Sequence, residues 1–162
     1  MIKRIMKIIV IFIIFILISN IVINKNEKAF FSRTHFAYWN LDYPELEEIM
    51  RFKSERSFGN DFSDSIVFSS DENLKRELKL YIIENESLLV SEGYEGSEIL
   101  KPDLLKIFHD FSDNSSLEKR INSYDSYAYW IFEKNNGSDK LGILMSENEV
   151  VYLEKISSFN NI

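Results

Sequence analysis

His35 and His109 are the only imidazoles in the chain, and it holds no cysteine. A nucleophilic relay needs a hydroxyl or thiol, a base beside it and a group that orients the base. His109 and Asp110 are adjacent, so on a helix their side chains diverge by about 100° and share no proton. No G-x-S-x-G elbow supplies a serine for them. The missing cysteine removes thiol nucleophiles, thiolate zinc sites, iron–sulfur clusters, disulfides and attachment through a lipoprotein cysteine. H-E-x-x-H, P-loop, G-x-G-x-x-G and calcium-loop patterns are also missing. The sequence therefore points to no catalytic residue, no metal and no cofactor.

Carboxylates remain, 26 of them against 19 lysines and arginines. Glu92 with Glu95, or Asp110 with Asp113, would be the nearest pairs for a glycosidase, which needs two carboxyls about 5–9.5 Å apart across a sugar cleft. With so many acids, closeness in sequence selects no pair, and solvated surface is the simpler reading. Asp61, Asp64 and Asp71 match no cation loop. Taken as a set, the acids suit capture of a basic protein. The residues expected to carry it are Glu45, Glu47 and Glu48 at a helix start, and Glu92, Glu95 and Glu98 in a loop bounded by Gly93 and Gly96. Loops and helix starts hold side chains clear of the core. The turns at Asn135–Asp139 and Ser146–Glu149 are the alternative surface. Tyr127, Tyr129 and Trp130 offer stacking planes, but on a strand that is apolar on both faces they read as core. N-x-S sequons stand at Asn85, Asn114 and Asn136 and matter only in a glycosylating host.

These side chains must be placed by a chain of 162 residues, enough for one compact domain. Its first 24 residues carry Lys3, Arg4 and Lys7, then an apolar run broken only by Ser19 and Asn20. A cleaved signal peptide needs small residues before the cut, and Ala29 with Glu27 two places earlier is a poor match. The 19 residues Ile5–Ile23 are long enough for a membrane span, which needs about 17–25. The expectation is an uncleaved anchor over 1–24, a basic juxtamembrane tether over 25–35, and an acidic domain over 36–162. The basic residues before and after the span give only a slight charge bias. A single polar domain after a first anchor is expected outside the cytoplasm, in a periplasm or the extracellular space.

Beyond the anchor the charge is one-sided: Lys3, Arg4 and Lys7 are the only charged residues among the first 24, so 25–162 carries a net −10. Such a domain repels nucleic acid and anionic headgroups, and suits basic proteins.

Period and punctuation predict an α+β domain of about four helices packed on a C-terminal antiparallel meander. Residues 36–43 (FAYWNLDY) read as a short strand. Asp42, Pro44 and the following glutamates read as a helix start, with Leu46, Ile49, Met50 and Phe52 inward and Ser57–Asn60 as the stop. Ser65–Phe68 reads as a strand. Ser69–Glu72 and Ser115–Glu118 read as capping boxes opening helices, and Pro102 opens a third. Residues 87–90 fit a helix end or a strand. Residues 127–132, 141–145 and 150–153 are strands joined by Asn135–Ser138 and Ser146–Glu149. Helices before a meander predict helices covering one sheet face, with Trp130 and Phe132 beneath 71–84 and 102–112.

Without a catalytic constellation, the expected role is a membrane-anchored binding module, most specifically an immunity-type inhibitor that neutralises a basic toxin or effector. A structural or assembly subunit of an envelope complex is the alternative, and a carboxylate-based envelope hydrolase a third reading.

Overall fold

The computed structural model describes residues 2–31, 35–53, 62–94, 101–111 and 114–157. The chain forms two compact units, 1–43 and 44–162. The first is dominated by helix α1, Ile2–Phe31. Its stretch Ile9–Phe30 has 22 residues of mean hydropathy 2.1, which at about 1.5 Å per residue exceeds the roughly 30 Å hydrocarbon thickness of a bilayer. Helix α1 is thus long and apolar enough to cross a membrane. Over residues 9–18 its apolar side chains are all exposed, with Phe12 64% and Phe15 65%.

The strand expected over 36–43 is instead a single 3-10 turn, Ala37–Trp39, closed by Asn40 in the left-handed region (φ 58°, ψ 37°). Leu41 N donates to Phe36 O at 2.8 Å, and the Phe36 and Tyr43 rings meet edge-on at 5.1 Å. The aromatics here fold the chain back on itself, and asparagine tolerates the reversed backbone that ends the turn.

The second unit is built on one six-stranded sheet. Its strands are β1 (Glu48–Lys53), β2 (Phe62–Ser69), β3 (Leu89–Tyr94), β4 (Tyr127–Lys134), β5 (Asp139–Ser146) and β6 (Glu149–Ile156), in the spatial order β1-β2-β6-β5-β4-β3. Every neighbouring pair is antiparallel. The expected meander is present as β4-β5-β6. Asn135, Asn136 and Gly137 all take positive φ, so the β4–β5 reversal uses residues that accept that backbone. The meander does not stand alone: β6 also pairs along its whole length with β2, from Phe62↔Ile156 to Ser69↔Glu149.

Three helices join the strands: α2 (Glu72–Glu84), α3 (Lys101–His109) and α4 (Ser115–Asn122). The helix expected after Pro44 is a correction, because β1 occupies that stretch. Met50 and Phe52 pack on the core while Arg51 lies opposite Ile66 on the other face, which is period two rather than 3.6. The expected stop at Ser57–Asn60 lies outside the described residues. Both capping residues shift by one or two places. Asp71 caps α2, its Oδ1 accepting from Leu74 N at 2.8 Å. Asn114 caps α4, its Oδ1 accepting from Ser116 N at 3.0 Å and Leu117 N at 3.2 Å. Aspartate and asparagine serve this position as well as serine does. The ambiguous 87–90 resolves into a 3-10 turn, Glu86–Leu88, and the start of β3. Gly93 lies within β3, where an added Cβ would sit 2.5 Å from Tyr129 Cε1.

Helices cover both faces of the sheet, correcting the expectation of one. Helix α2 turns Leu74, Leu78 and Tyr81 inward, and Tyr81 meets Phe132 edge-on at 5.4 Å. On the opposite face Val67, Tyr129, Ile131, Leu144, Val151 and Leu153 pack with Leu104, Phe108 and Phe111 of α3 and its exit, and with Leu117 and Ile121 of α4. Trp130 therefore shares the α2 face with Phe132, while α3 lies across the sheet from both. Central strands apolar at successive positions require this double cover, as parallel sheets usually do.

Candidate functional site

Alternating strand directions bring distant parts of the sequence to one end of the sheet. The starts of β1, β6 and β4 lie there with the ends of β2, β5 and β3. Glu45 and Glu47 lead into β1, Asp71 and Glu72 open α2, Asp125 precedes β4 and Glu147 tips the β5–β6 turn. All six are exposed. These six exposed carboxylates share this end with Lys75 and Arg120.

Its centre is a cleft of about 230 Å³ lined by Ser123–Ser126 and Ser146–Glu149. The floor is rigid. Arg120 Nε donates to Glu149 Oε2 at 2.7 Å, a second guanidinium nitrogen donates to Glu149 Oε1, and Tyr124 OH donates to Oε2 at 2.6 Å. A forked guanidinium on a carboxylate fixes orientation as well as charge. Hydrogen bonding from Arg120 first, then from Tyr124, holds the Glu149 carboxyl below its ordinary value against the opposing effect of burial. The same pairing raises Arg120. Burial, aided by Glu149, raises Tyr124, so its hydroxyl remains a proton donor at neutral pH.

The turn itself is held from behind. Ser70 N donates to Asn148 O at 2.8 Å, Lys75 Nζ to Glu147 O at 2.8 Å, and Glu149 N to Ser146 Oγ at 3.2 Å. Asp125 and Glu147 project at the rim, with no cationic side chain paired to either carboxylate among the described residues. Carboxylates, serine hydroxyls and turn carbonyls together suit a partner's ammonium or guanidinium group.

Of the six glutamates expected to bind a partner, the four that are described do not gather at one point. Glu45 and Glu47 are exposed, and Glu48 is half-buried and paired with Arg51. These three share the acidic end with the Ser146–Glu149 turn, the alternative surface, and Ser69 N donates to Glu47 O at 2.9 Å. Glu92 is exposed on β3 at the far edge of the sheet, five strand spacings or roughly 24 Å from β1. Glu95 and Glu98 lie outside the described residues, as does Asp113. Sequence reasoning missed Arg120, Tyr124 and Asp125. The polar run Ser123–Ser126 between a helix and a strand was the only signal, and it says nothing about Glu149.

His109 is exposed at the end of α3, and His35 is buried in the first unit. Among the described residues no three histidine or carboxylate side chains gather as a metal site would require. At the opposite end of the sheet Asp64 and Glu154 face each other across the β2–β6 pair, both buried. Asp139, also buried, accepts from Ser157 N at 3.2 Å and from Asn135. Burial lowers Lys134, while Asp139 and Glu154 oppose that shift. These groups tie the β4–β5 turn to the end of β6. Tyr129 and Trp130 are buried in the core.

Compared with protein-family models, curated proteins and solved structures, the chain matches none.

Proposed function

We propose that the chain is a membrane-anchored binding module whose domain lies outside the cytoplasm and captures a basic protein, most specifically as an immunity-type inhibitor of a toxin or effector. The observation that carries this reading is the acidic end, with a preorganised cleft at its centre and exposed carboxylates around it. Glu45, Glu47 and Glu48 extend that surface toward the β1 edge, while Glu92, and in sequence Glu95 and Glu98, extend from β3. An inhibitor needs no catalytic residue; it needs complementarity and a place where the target arrives. The apolar helix supplies the place, since a tethered binder meets its target at raised effective concentration.

The test is capture from detergent-solubilised cells with the full chain as bait, beside a bait carrying Asp125→Asn and Glu147→Gln. One stoichiometric basic protein, lost with the doubly substituted bait, is the expected result. Several envelope proteins retained equally by both baits would instead identify an assembly subunit. Release of the chain from membranes without detergent would overturn the anchored part of the reading.

A further inference from the structure

The β4–β5 turn carries chemistry of its own. Asn136 is the one asparagine in the chain that a glycine follows, and it stands exposed in that turn. Among the described residues no hydrogen bond engages its side-chain amide. Three other asparagines are occupied: Asn135 Nδ2 donates to Asp139, Asn85 Nδ2 donates to Tyr81 O at 2.9 Å, and Asn114 Oδ1 caps α4. The glycine is required for two separate reasons. Gly137 has φ +83°, and an added Cβ would sit 3.0 Å from Glu133 Oε2. Lys140 Nζ holds that carboxylate through its other oxygen at 3.1 Å. The turn therefore depends on a residue with no side chain to hinder its own backbone nitrogen.

We propose that Asn136 is a site of spontaneous modification by water, and that opening of the β4–β5 turn sets its rate. The Gly137 backbone nitrogen gives up its proton and attacks Asn136 Cγ. A nitrogen–Cγ bond forms, the Cγ–Nδ2 bond breaks, and ammonia departs with the proton to leave a five-membered succinimide. One water molecule then opens the ring at either carbonyl, giving aspartate or isoaspartate at position 136. Ring closure needs the Gly137 nitrogen on the same side of the Asn136 Cα–C bond as Cβ. In the folded turn Asn136 holds φ 57° and ψ 37°, which places that nitrogen nearly opposite Cβ. Ser138 fixes the arrangement, donating to Asn135 O from N at 3.3 Å and from Oγ at 3.0 Å. The backbone must rotate out of the turn before the ring can form, so the flanking pair Lys134↔Asp139 acts as a brake through local opening. Isoaspartate lengthens the backbone after position 136 and cannot rebuild a turn that seats Gly137 against Glu133.

The test ages the full chain in detergent at neutral pH, in native buffer and in parallel in guanidinium chloride. Mass spectrometry with electron-transfer fragmentation then follows the peptide spanning 134–140 and separates aspartate from isoaspartate. The expected result is amide-to-acid conversion at Asn136 ahead of every other asparagine, severalfold slower in the native chain than in the denatured one, and absent from Asn136→Gln. Ser138→Ala removes one of the two bonds to Asn135 O, so it should speed the native reaction and leave the denatured rate unchanged. Equal rates in the native and denatured chain, or a native rate indifferent to Ser138→Ala, would overturn the control by the turn. No conversion at Asn136 in the denatured chain, or faster conversion at another asparagine, would overturn the site itself.

Discussion

Glu149 joins α4 and its exit to the start of β6 through one carboxylate. Its depressed pKa means that the folded state holds a proton less readily than the unfolded chain, so its contribution to stability is complete above the unfolded value. That contribution is lost as the pH falls through the folded value. Glu149→Gln should therefore cost about 1–3 kcal/mol near neutral pH, with the gap from the parent shrinking below about pH 4. Denaturant melts of both proteins between pH 7 and pH 3 check this; a constant gap would show that the Arg120 pair contributes nothing through its charge. Tyr129 makes the opposite case. Among the described residues its buried hydroxyl has no hydrogen-bond partner, so Tyr129→Phe should leave stability unchanged or raise it by about 1 kcal/mol. Gly93→Ala should destabilise, since the new methyl would meet the Tyr129 ring; thermal melts of the two variants separate the effects. Neither relation is legible in sequence, because each joins residues from different elements whose register only the folded sheet sets.

Among the elements, the meander was readable and β1 was not, for physical reasons. Asn135–Gly137 and Ser146–Glu149 are turn chemistry between apolar runs, which leaves short antiparallel pairing as the economical outcome. At the start of β1, Pro44 with Glu45, Glu47 and Glu48 satisfies every local rule for a helix start, yet the segment from Glu48 pairs with β2. Tertiary pairing overrides local preference here, and Met50 with Phe52 was the small sign of it. Sheet order was equally hidden, since nothing in the composition of β6 announces pairing on both edges. Trp130 lies on the α2 face, so Trp130→Ala should cost about 3–5 kcal/mol. Hydrogen exchange should show α2 amides losing more protection than α3 amides in that variant. Equal loss in both helices would mean that the two faces of the sheet behave as one layer.

For the molecule as a whole, the proposed capture predicts how a basic partner would arrive. Charges at an open rim accelerate encounter more than they prolong residence, and screening beyond about 8–10 Å weakens them near physiological ionic strength. Once a basic partner is in hand, Asp125→Asn with Glu147→Gln should lower the association rate severalfold at low salt and barely change dissociation. Glu92→Gln, at the far edge, should do less. Stopped-flow mixing across a salt series decides it: an association rate indifferent to salt would remove electrostatic capture. The overall negative charge was plain in the sequence. Its concentration at one end was not, because that depends on six strands running alternately and placing chain positions a hundred residues apart side by side.

Because β6 lies between β2 and β5, the sheet cannot close until the last strand has emerged. The β1–β2 hairpin is complete some eighty residues earlier and must wait with one edge unsatisfied, as must β5 once the β4–β5 pair forms. Long-range pairing of this kind slows folding and leaves strand edges open to wrong partners in the interval. A chain held at a membrane, as proposed, would spend that interval beside other emerging chains. Refolding should accordingly be slow relative to helical proteins of this size, and substitutions in β6 should slow it further by delaying the one strand that joins the two halves.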